Sequence, residues 1–106
     1  MNQRLEKLVL FYSQNPHDAF INYALAHEYH TQNDTQNALK HYQYLTENRP
    51  DYLPTYYQLG KLYEQLNQTQ NAIDCYNKGI TIANQQNDTK TKAELNNAKI
   101  NLEIEG

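Results

Sequence analysis

A six-residue phrase occurs twice in the chain, and its spacing restricts the fold more than any other feature. Residues 33–38 read Asn-x-Thr-Gln-Asn-Ala, and the same pattern returns 34 residues later at 67–72. Positions around the phrase recur at the same offset, with Tyr23, Leu25, Tyr29 and Tyr42 anticipating Tyr57, Leu59, Tyr63 and Tyr76. A period of this length is typical of proteins built from stacked supersecondary units. The chain therefore contains two copies of one structural unit.

The composition argues against several function classes. The 106 residues fit one domain, and no apolar run approaches the roughly 20 residues that a membrane span needs. The apolar run at 8–11 is too short for a secretion signal. Nine basic and twelve acidic residues give a net charge of -3 without a Lys or Arg cluster, so we expect neither nucleic acid nor membrane as a partner. The single Cys75 cannot form an internal disulfide, which favours a reducing, cytoplasmic location.

Apolar residues spaced by three and four positions predict helices throughout, so we expect an all-α fold of about six helices. The first is predicted over residues 2–14, ending before Pro16, with an apolar stripe that comprises Leu5, Leu8, Val9 and Phe11. The other predicted helices cover residues 20–32, 35–48, 53–66, 69–84 and 89–104.

Polar residues ahead of these helices are predicted to cap the free amides of the first turn. Thr35 or Asp34 is expected to cap the third helix, and the repeat places Thr69 in the same role for the fifth. Thr91 and Glu94 have the spacing of a capping box at the start of the last helix.

The last predicted helix has two apolar sides. One is expected to cover the preceding unit and comprises Leu95, Ala98 and Leu102, while the opposite side carries Ala93, Ile100 and Ile104. An exposed apolar stripe usually marks an interface, so the second side predicts a homodimer. The alternative is that the helix rotates or bends until both sides are partly covered.

The second unit resembles the tetratricopeptide repeat. Its residues read Tyr56-x-x-Leu59-Gly60-x-x-Tyr63 and then Ala72-x-x-x-Tyr76. The first unit matches at Leu25, Tyr29, Ala38, Tyr42 and Pro50, with Ala26 at the glycine position and Asn22 at the tryptophan position. The resemblance covers residues 17–86. It divides the chain into a capping helix (1–16), two repeats (17–52 and 53–86) and a C-terminal capping helix (87–106).

The resemblance implies a solenoid of helical hairpins that forms a right-handed superhelix, whose concave face is lined by the first helix of each unit. Within each hairpin, close helix packing requires small residues, and these are Ala26, Ala38, Gly60 and Ala72. The implied function is non-catalytic binding of a peptide or protein segment, and no cofactor is expected.

The periodicity places a set of side chains beside the core stripe of the first helices, where they are predicted to line the binding groove. The set comprises Phe20, Tyr23, His27 and His30 in the first unit and Tyr57, Lys61 and Glu64 in the second. Aromatic groups with polar tips are favoured at recognition surfaces. The alternative is that Phe20 and Tyr23 pack against the first helix while the other residues form a solvated face.

Other kinds of site find less support in the sequence. Some tetratricopeptide repeat proteins bind the C-terminal carboxylate of chaperone tails through Lys and Asn side chains. The chain, which resembles them, has Tyr23, His27 and Gln58 at those positions. His27, His30 and Glu64 are three candidate metal ligands without a metal-binding motif, so we expect no metal. Cys75 is expected to be an inert, half-buried thiol, and no catalytic constellation indicates an enzyme.

Overall fold

The computed structural model describes residues 2–105, which form six α-helices and no strands, as predicted. In chain order the helices are α1 (Gln3–Gln14), α2 (Ala19–Thr31), α3 (Thr35–Asn48), α4 (Pro54–Gln65), α5 (Thr69–Gln85) and α6 (Thr89–Glu105). The described residues divide after Thr55 into two compact units. None of the helices within residues 2–105 has the length and apolarity needed to cross a membrane.

Three tight turns share one backbone geometry. Each contains an asparagine in the left-handed conformation, namely Asn33 (φ 63°), Asn67 (φ 58°) and Asn87 (φ 58°). The next residue donates its N–H to the carbonyl five residues earlier over 2.9 Å, in the pairs Asp34 to Tyr29, Gln68 to Tyr63 and Asp88 to Ala83. These bonds form the Schellman motif, in which asparagine tolerates the positive φ better than most residues do. Each turn therefore ends one helix and begins the next within three residues.

The cap of α3 is Asp34, one of the two predicted candidates, whereas the cap of α5 differs from the prediction. Asp34, not Thr35, precedes α3, and its Oδ1 accepts the backbone N–H of Asn37 at 3.3 Å. Thr69 is likewise the first residue of α5, and the capping position holds Gln68, whose side chain makes no capping bond. The threonine caps were wrong because each threonine is already helical, one residue past the position from which a side chain caps.

The predicted capping box at α6 is also wrong. Asp88 precedes the helix, and its carboxylate accepts the backbone N–H of Thr91 at 3.0 Å and the Thr91 hydroxyl at 2.8 Å. These two bonds, the backbone one first, lower the pKa of the Asp88 carboxyl. Thr91 and Glu94 therefore both lie inside the helix, so neither can act as its cap.

In the first unit α1 packs against α2 through a small apolar core that comprises Leu5, Leu8, Ala24 and Leu25. Two other residues of the predicted α1 stripe are outside it, since Val9 is 38% and Phe11 49% exposed. The prediction was too wide because α2 covers only one narrow side of α1. On the other side of α2, Ala26 and Ala38 are fully buried where α2 packs against α3.

Glycines mark the closest helix contacts of the second unit. A Cβ added to Gly60 of α4 would lie 2.7 Å from Cζ and 2.8 Å from Cδ1 of Tyr76 in α5. A Cβ on Gly79 of α5 would lie 2.8 Å from Cβ of Tyr56 and 2.9 Å from Cδ1 of Leu95 in α6. Real Cβ atoms do not approach this closely, so α5 contacts both of its neighbours at positions where only glycine fits.

The last helix has the two sides that its sequence predicts. The side packed on α5 is buried and comprises Leu95, Ala98 and Leu102. On the opposite side, Ala93 is exposed, Ile100 is 47% exposed and Ile104 is 78% exposed. The helix therefore neither rotates nor bends enough to cover both sides within the described residues.

We expect Gly60→Ala to lower the free energy of unfolding by about 1 to 3 kcal/mol, because the new methyl group overlaps the buried ring of Tyr76. Urea unfolding followed by circular dichroism measures the change. Asn77→Ala, at an exposed position of α5, is the matched control and should stay within about 0.5 kcal/mol of the wild type. A Gly60→Ala protein as stable as this control would mean that the ring moves aside freely.

Candidate functional site

An aromatic cluster lies on the side of α2 next to its buried core residues. Phe20 is 62% exposed, and Tyr23 and His27 are half-buried with their rings stacked at 6.3 Å. The Tyr23 ring also contacts the ring of Tyr52 at 5.8 Å and that of buried Tyr42 at 6.5 Å. We name Phe20, Tyr23, His27 and Tyr52 the α2 aromatic patch.

Tyr52 belongs to this patch but was missing from the predicted site. Its sequence counterpart one period earlier is Asp18, so the repeat gave no signal that an aromatic residue was needed there. Burial, followed by the charge of Asp18, raises the pKa of the Tyr52 hydroxyl. A tyrosine hydroxyl is protonated at neutral pH even without this shift, so the patch presents it as a neutral polar group.

His30 was predicted to line the same surface, and it also contacts a buried core residue. Its Nδ1 lies 3.5 Å from the hydroxyl of Tyr42, and the two rings meet edge to face at 6.2 Å. Tyr42 is fully buried, and burial raises the pKa of its hydroxyl. Part of the hydrogen-bonding capacity of His30 is thus used inside the first unit.

The predicted residues of the second unit form a connected charged group on α4. Lys61 Nζ lies 3.6 Å from Glu64 Oε2 and 5.5 Å from the centre of the Tyr57 ring. The hydroxyl of buried Tyr76 donates a hydrogen bond to the same oxygen of Glu64. We name Tyr57, Lys61 and Glu64 the α4 patch. Its single positive and single negative charge neutralise each other at short range.

Sequence reasoning missed a buried polar pair in the first unit. His41 of α3 and Asn22 of α2 are both almost fully buried, and His41 Nδ1 lies 3.0 Å from Asn22 Oδ1. The Asn22 amide nitrogen donates to the carbonyls of Pro16 at 3.0 Å and Asp18 at 2.9 Å. Because these two bonds orient the amide, its oxygen must accept from His41, and Nδ1 of the imidazole carries the proton.

The imidazole of His41 lies among aromatic rings. Tyr12 of α1 meets it edge to face at 4.9 Å, and Tyr29 of α2 stacks on it at 5.9 Å. Burial, with a smaller contribution from the Lys40 charge, lowers the pKa of His41 from its ordinary 6.5 to about 4. The neutral His41 thus joins all three helices of the first unit, which makes it a structural residue and not a ligand contact.

The described residues do not bring together the candidate metal ligands. Within 2–105, no group of three or more His, Cys, Asp or Glu side chains is close enough to hold a metal ion. Cys75 is half-buried, and burial followed by the Asp74 charge raises its thiol pKa from 9.0 to about 12. A thiol in this state is a poor nucleophile at neutral pH.

Comparisons with known proteins identify the two repeated helix pairs. A family model for the tetratricopeptide repeat matches residues 21–52 and 53–86. The solution structure of a tetratricopeptide repeat domain protein from Salinibacter ruber is 44% identical, with a TM-score of 0.80 over 84% of this chain and 90% of that chain. A crystal structure of a tetratricopeptide repeat domain protein from Salinibacter ruber gives 44% identity and a TM-score of 0.77, covering 81% and 96%.

A more distant similarity extends along almost the whole chain. A protein from Bordetella parapertussis is 21% identical and has a TM-score of 0.85 over 99% of this chain and 91% of that chain, which shows a shared fold. No curated protein matches the chain significantly.

We expect acid to destabilise the protein through His41. As the pH falls from about 6.5 to about 4, the unfolded chain takes up a proton at this residue while the folded chain does not. The stability present above pH 6.5 should therefore decrease by about 2 kcal/mol over this window, allowing for screening. Urea unfolding at pH 7 and pH 4.5 measures the loss.

The control for this prediction is His41→Gln, which keeps an amide donor for Asn22 but does not titrate. Its stability at pH 7 can differ from that of the wild type, but its further loss at pH 4.5 should be smaller by about 2 kcal/mol. Equal acid losses in the two proteins would show that His41 takes up its proton as readily when folded.

A second prediction concerns the thiol. At pH 8 the reaction of Cys75 with a disulfide reagent should be on the order of 100-fold slower in the folded protein than in urea, because its thiolate is scarce. Absorbance of the released chromophore follows the reaction. Comparable rates in the two conditions would contradict the buried, protonated state.

Proposed function

Because the chain belongs to the tetratricopeptide repeat family, we propose that it binds a peptide or protein segment through the exposed Phe20 and half-buried side chains of α2 and α4. Repeats of this family generally mediate protein–protein interaction, and the family is a non-enzymatic scaffold family. The proposed activity is therefore recognition without chemistry.

The observation that carries this proposal is the exposed ring of Phe20 beside the stacked rings of Tyr23 and His27. Leaving a large apolar ring in water costs free energy that a ligand recovers on binding. Tyr23 is held by Tyr42 and Tyr52, so little side-chain freedom remains to be lost when a ligand contacts it. A rigid aromatic surface of this kind is favourable for recognition.

The charges indicate which ligand would fit. The α2 aromatic patch contains no Asp, Glu, Lys or Arg, and in the α4 patch Lys61 is already paired with Glu64. We therefore propose that the α2 aromatic patch accepts apolar or aromatic side chains of a ligand, and that the α4 patch accepts hydrogen-bonding groups. Capture of an acidic chaperone tail is disfavoured, because Lys61 would have to give up its contact with Glu64.

A second candidate function is self-association through α6. It is favoured by Ile100 and Ile104, which are both exposed. Because the two share one helix face, they form a patch and are not scattered single residues. This function and peptide binding use different helices. We also propose a cytoplasmic location, because the single Cys75 cannot form a disulfide within the chain, which suits a reducing compartment.

Selection from a random-peptide display library against the purified protein tests the main proposal, with affinities of the selected peptides measured by fluorescence polarisation. We expect Phe20→Ala and Tyr57→Ala each to weaken binding by about tenfold or more, as loss of a buried aromatic contact does. His27→Ala should also weaken it.

Two controls keep this test specific. Asn77→Ala changes an exposed residue outside both patches and should leave the affinity unchanged. Ile100→Glu separates the two candidate functions, because it should abolish self-association while the peptide still binds. Selected peptides that bind all the aromatic variants as tightly as the wild type would overturn the α2 and α4 assignment.

A further inference from the structure

The charges of α6 are arranged against its helix dipole. Lys90 and Lys92 lie in the first turns, and Glu103 and Glu105 lie in the last. A helix dipole favours the reverse order, with acidic residues near the N-terminus and basic residues near the C-terminus. Among residues 2–105 these four side chains form no ion pair with one another or with other residues. The order of these charges therefore opposes the helix dipole of α6, with only the i,i+4 spacings Lys90–Glu94 and Lys99–Glu103 to offset it within the helix.

The same four charges border the exposed apolar stripe of α6. At 100° per residue, Lys92 and Glu103 lie along one side of the stripe, and Lys90 and Glu105 lie along the other. The stripe comprises the apolar Ala93, Ile100 and Ile104, with the uncharged polar Asn97 among them. An apolar centre with charged borders is the usual plan of an interface between helices.

We propose that two copies of this chain associate through an antiparallel α6–α6 contact about a twofold axis midway between the levels of Asn97 and Ala98. This proposal rests on the second candidate function and adds the partner and the geometry. In this register Lys92 lies level with Glu103 of the second copy, and Lys90 with its Glu105. Ile100 then enters the gap between Ala93 and Asn97 of the second copy.

All charges of the helix fit this register. The two that remain near its middle, Glu94 and Lys99, come level with the uncharged Asn101 and Asn96 of the second copy, each on the same side of the stripe. No like charges meet, and the two helix dipoles are antiparallel. A parallel pair would instead place lysines beside lysines and glutamates beside glutamates, which is repulsive.

The twofold symmetry closes the contact at two copies, because each copy uses the same surface. A helix of 17 residues is about 25 Å long, so one helix pair buries less area than the standard stable interface. The dimer should therefore be weak, and its population should fall as salt screens the border charges.

Charge-reversal variants test the proposal by sedimentation equilibrium at about 10 to 500 µM protein, a range suited to a weak interface. The acidic variant carries Lys90→Glu and Lys92→Glu, the basic variant carries Glu103→Lys and Glu105→Lys, and the reversed variant carries all four. Each two-residue variant alone should dimerise at least about tenfold more weakly than the wild type, because like charges then meet. Their equimolar mixture should recover the dimer.

The reversed variant decides the orientation. On its own it should dimerise as the wild type does, because every Lys–Glu pair is restored with the partners exchanged. Mixed with labelled wild type it should form no mixed dimer, since an antiparallel pair would then oppose lysines to lysines. A parallel contact predicts the opposite, namely preferential mixing, and that result would overturn the proposal.

Both two-residue variants improve the match between charge and helix dipole, but Lys90→Glu puts a like charge four residues before Glu94, and Glu103→Lys puts one four residues after Lys99, so folding is checked separately. Circular dichroism checks that their helix content is unchanged.

A wild type that stays monomeric up to about 500 µM overturns both this proposal and the second candidate function. A dimer that Ile100→Glu disrupts but the acidic and basic variants leave intact overturns only the antiparallel charge pairing. Peptide affinity of the wild type is measured in parallel, so failure of the main proposal is recognised separately.

Discussion

At three of the turns between the helices of residues 2–105, a left-handed asparagine determines where one helix ends and the next begins. At Asn33, the Schellman hydrogen bond closes α2 on one side, while Asp34 caps α3 on the other. A shift of one residue would rotate the following helix by about 100° and bring different side chains to the core. The exposed position of the α2 and α6 surfaces therefore depends on backbone hydrogen bonds that neither surface contains.

Both candidate recognition patches are supported from the core by tyrosine. Buried Tyr42 contacts the ring of Tyr23, and buried Tyr76 donates a hydrogen bond to Glu64. These two tyrosines occupy the same position in the two repeats and meet equivalent positions, since Tyr76 also contacts the ring of Tyr57 and the hydroxyl of Tyr42 meets His30 where that of Tyr76 meets Glu64. The repeated framework is thus constant, and the chemistry that it presents on the surface differs between α2 and α4.

Local spacing was sufficient to predict the six helices, the two-sided α6 and the small residues at close helix contacts, because these features depend on neighbouring positions along the chain. His41 could not be predicted, since its partner Asn22 lies on another helix and its counterpart one period later is Cys75. The exposure of Val9 and Phe11 was not predicted, because an apolar stripe in the sequence does not show how many neighbouring helices cover it. The binding roles of the patch residues remain predictions, because affinity depends on a ligand as well as on this chain.

The two repeats place large and small residues in opposite order at equivalent positions. Tyr56 contacts the site of Gly79, whereas the equivalent residues of the first repeat are the short Asn22 and the larger Leu45. A chimera that exchanged only one helix between the repeats would set Tyr56 against Leu45, or leave a void between Asn22 and Gly79. Recombination within this architecture would therefore have to move whole hairpins to keep each large residue opposite a small one.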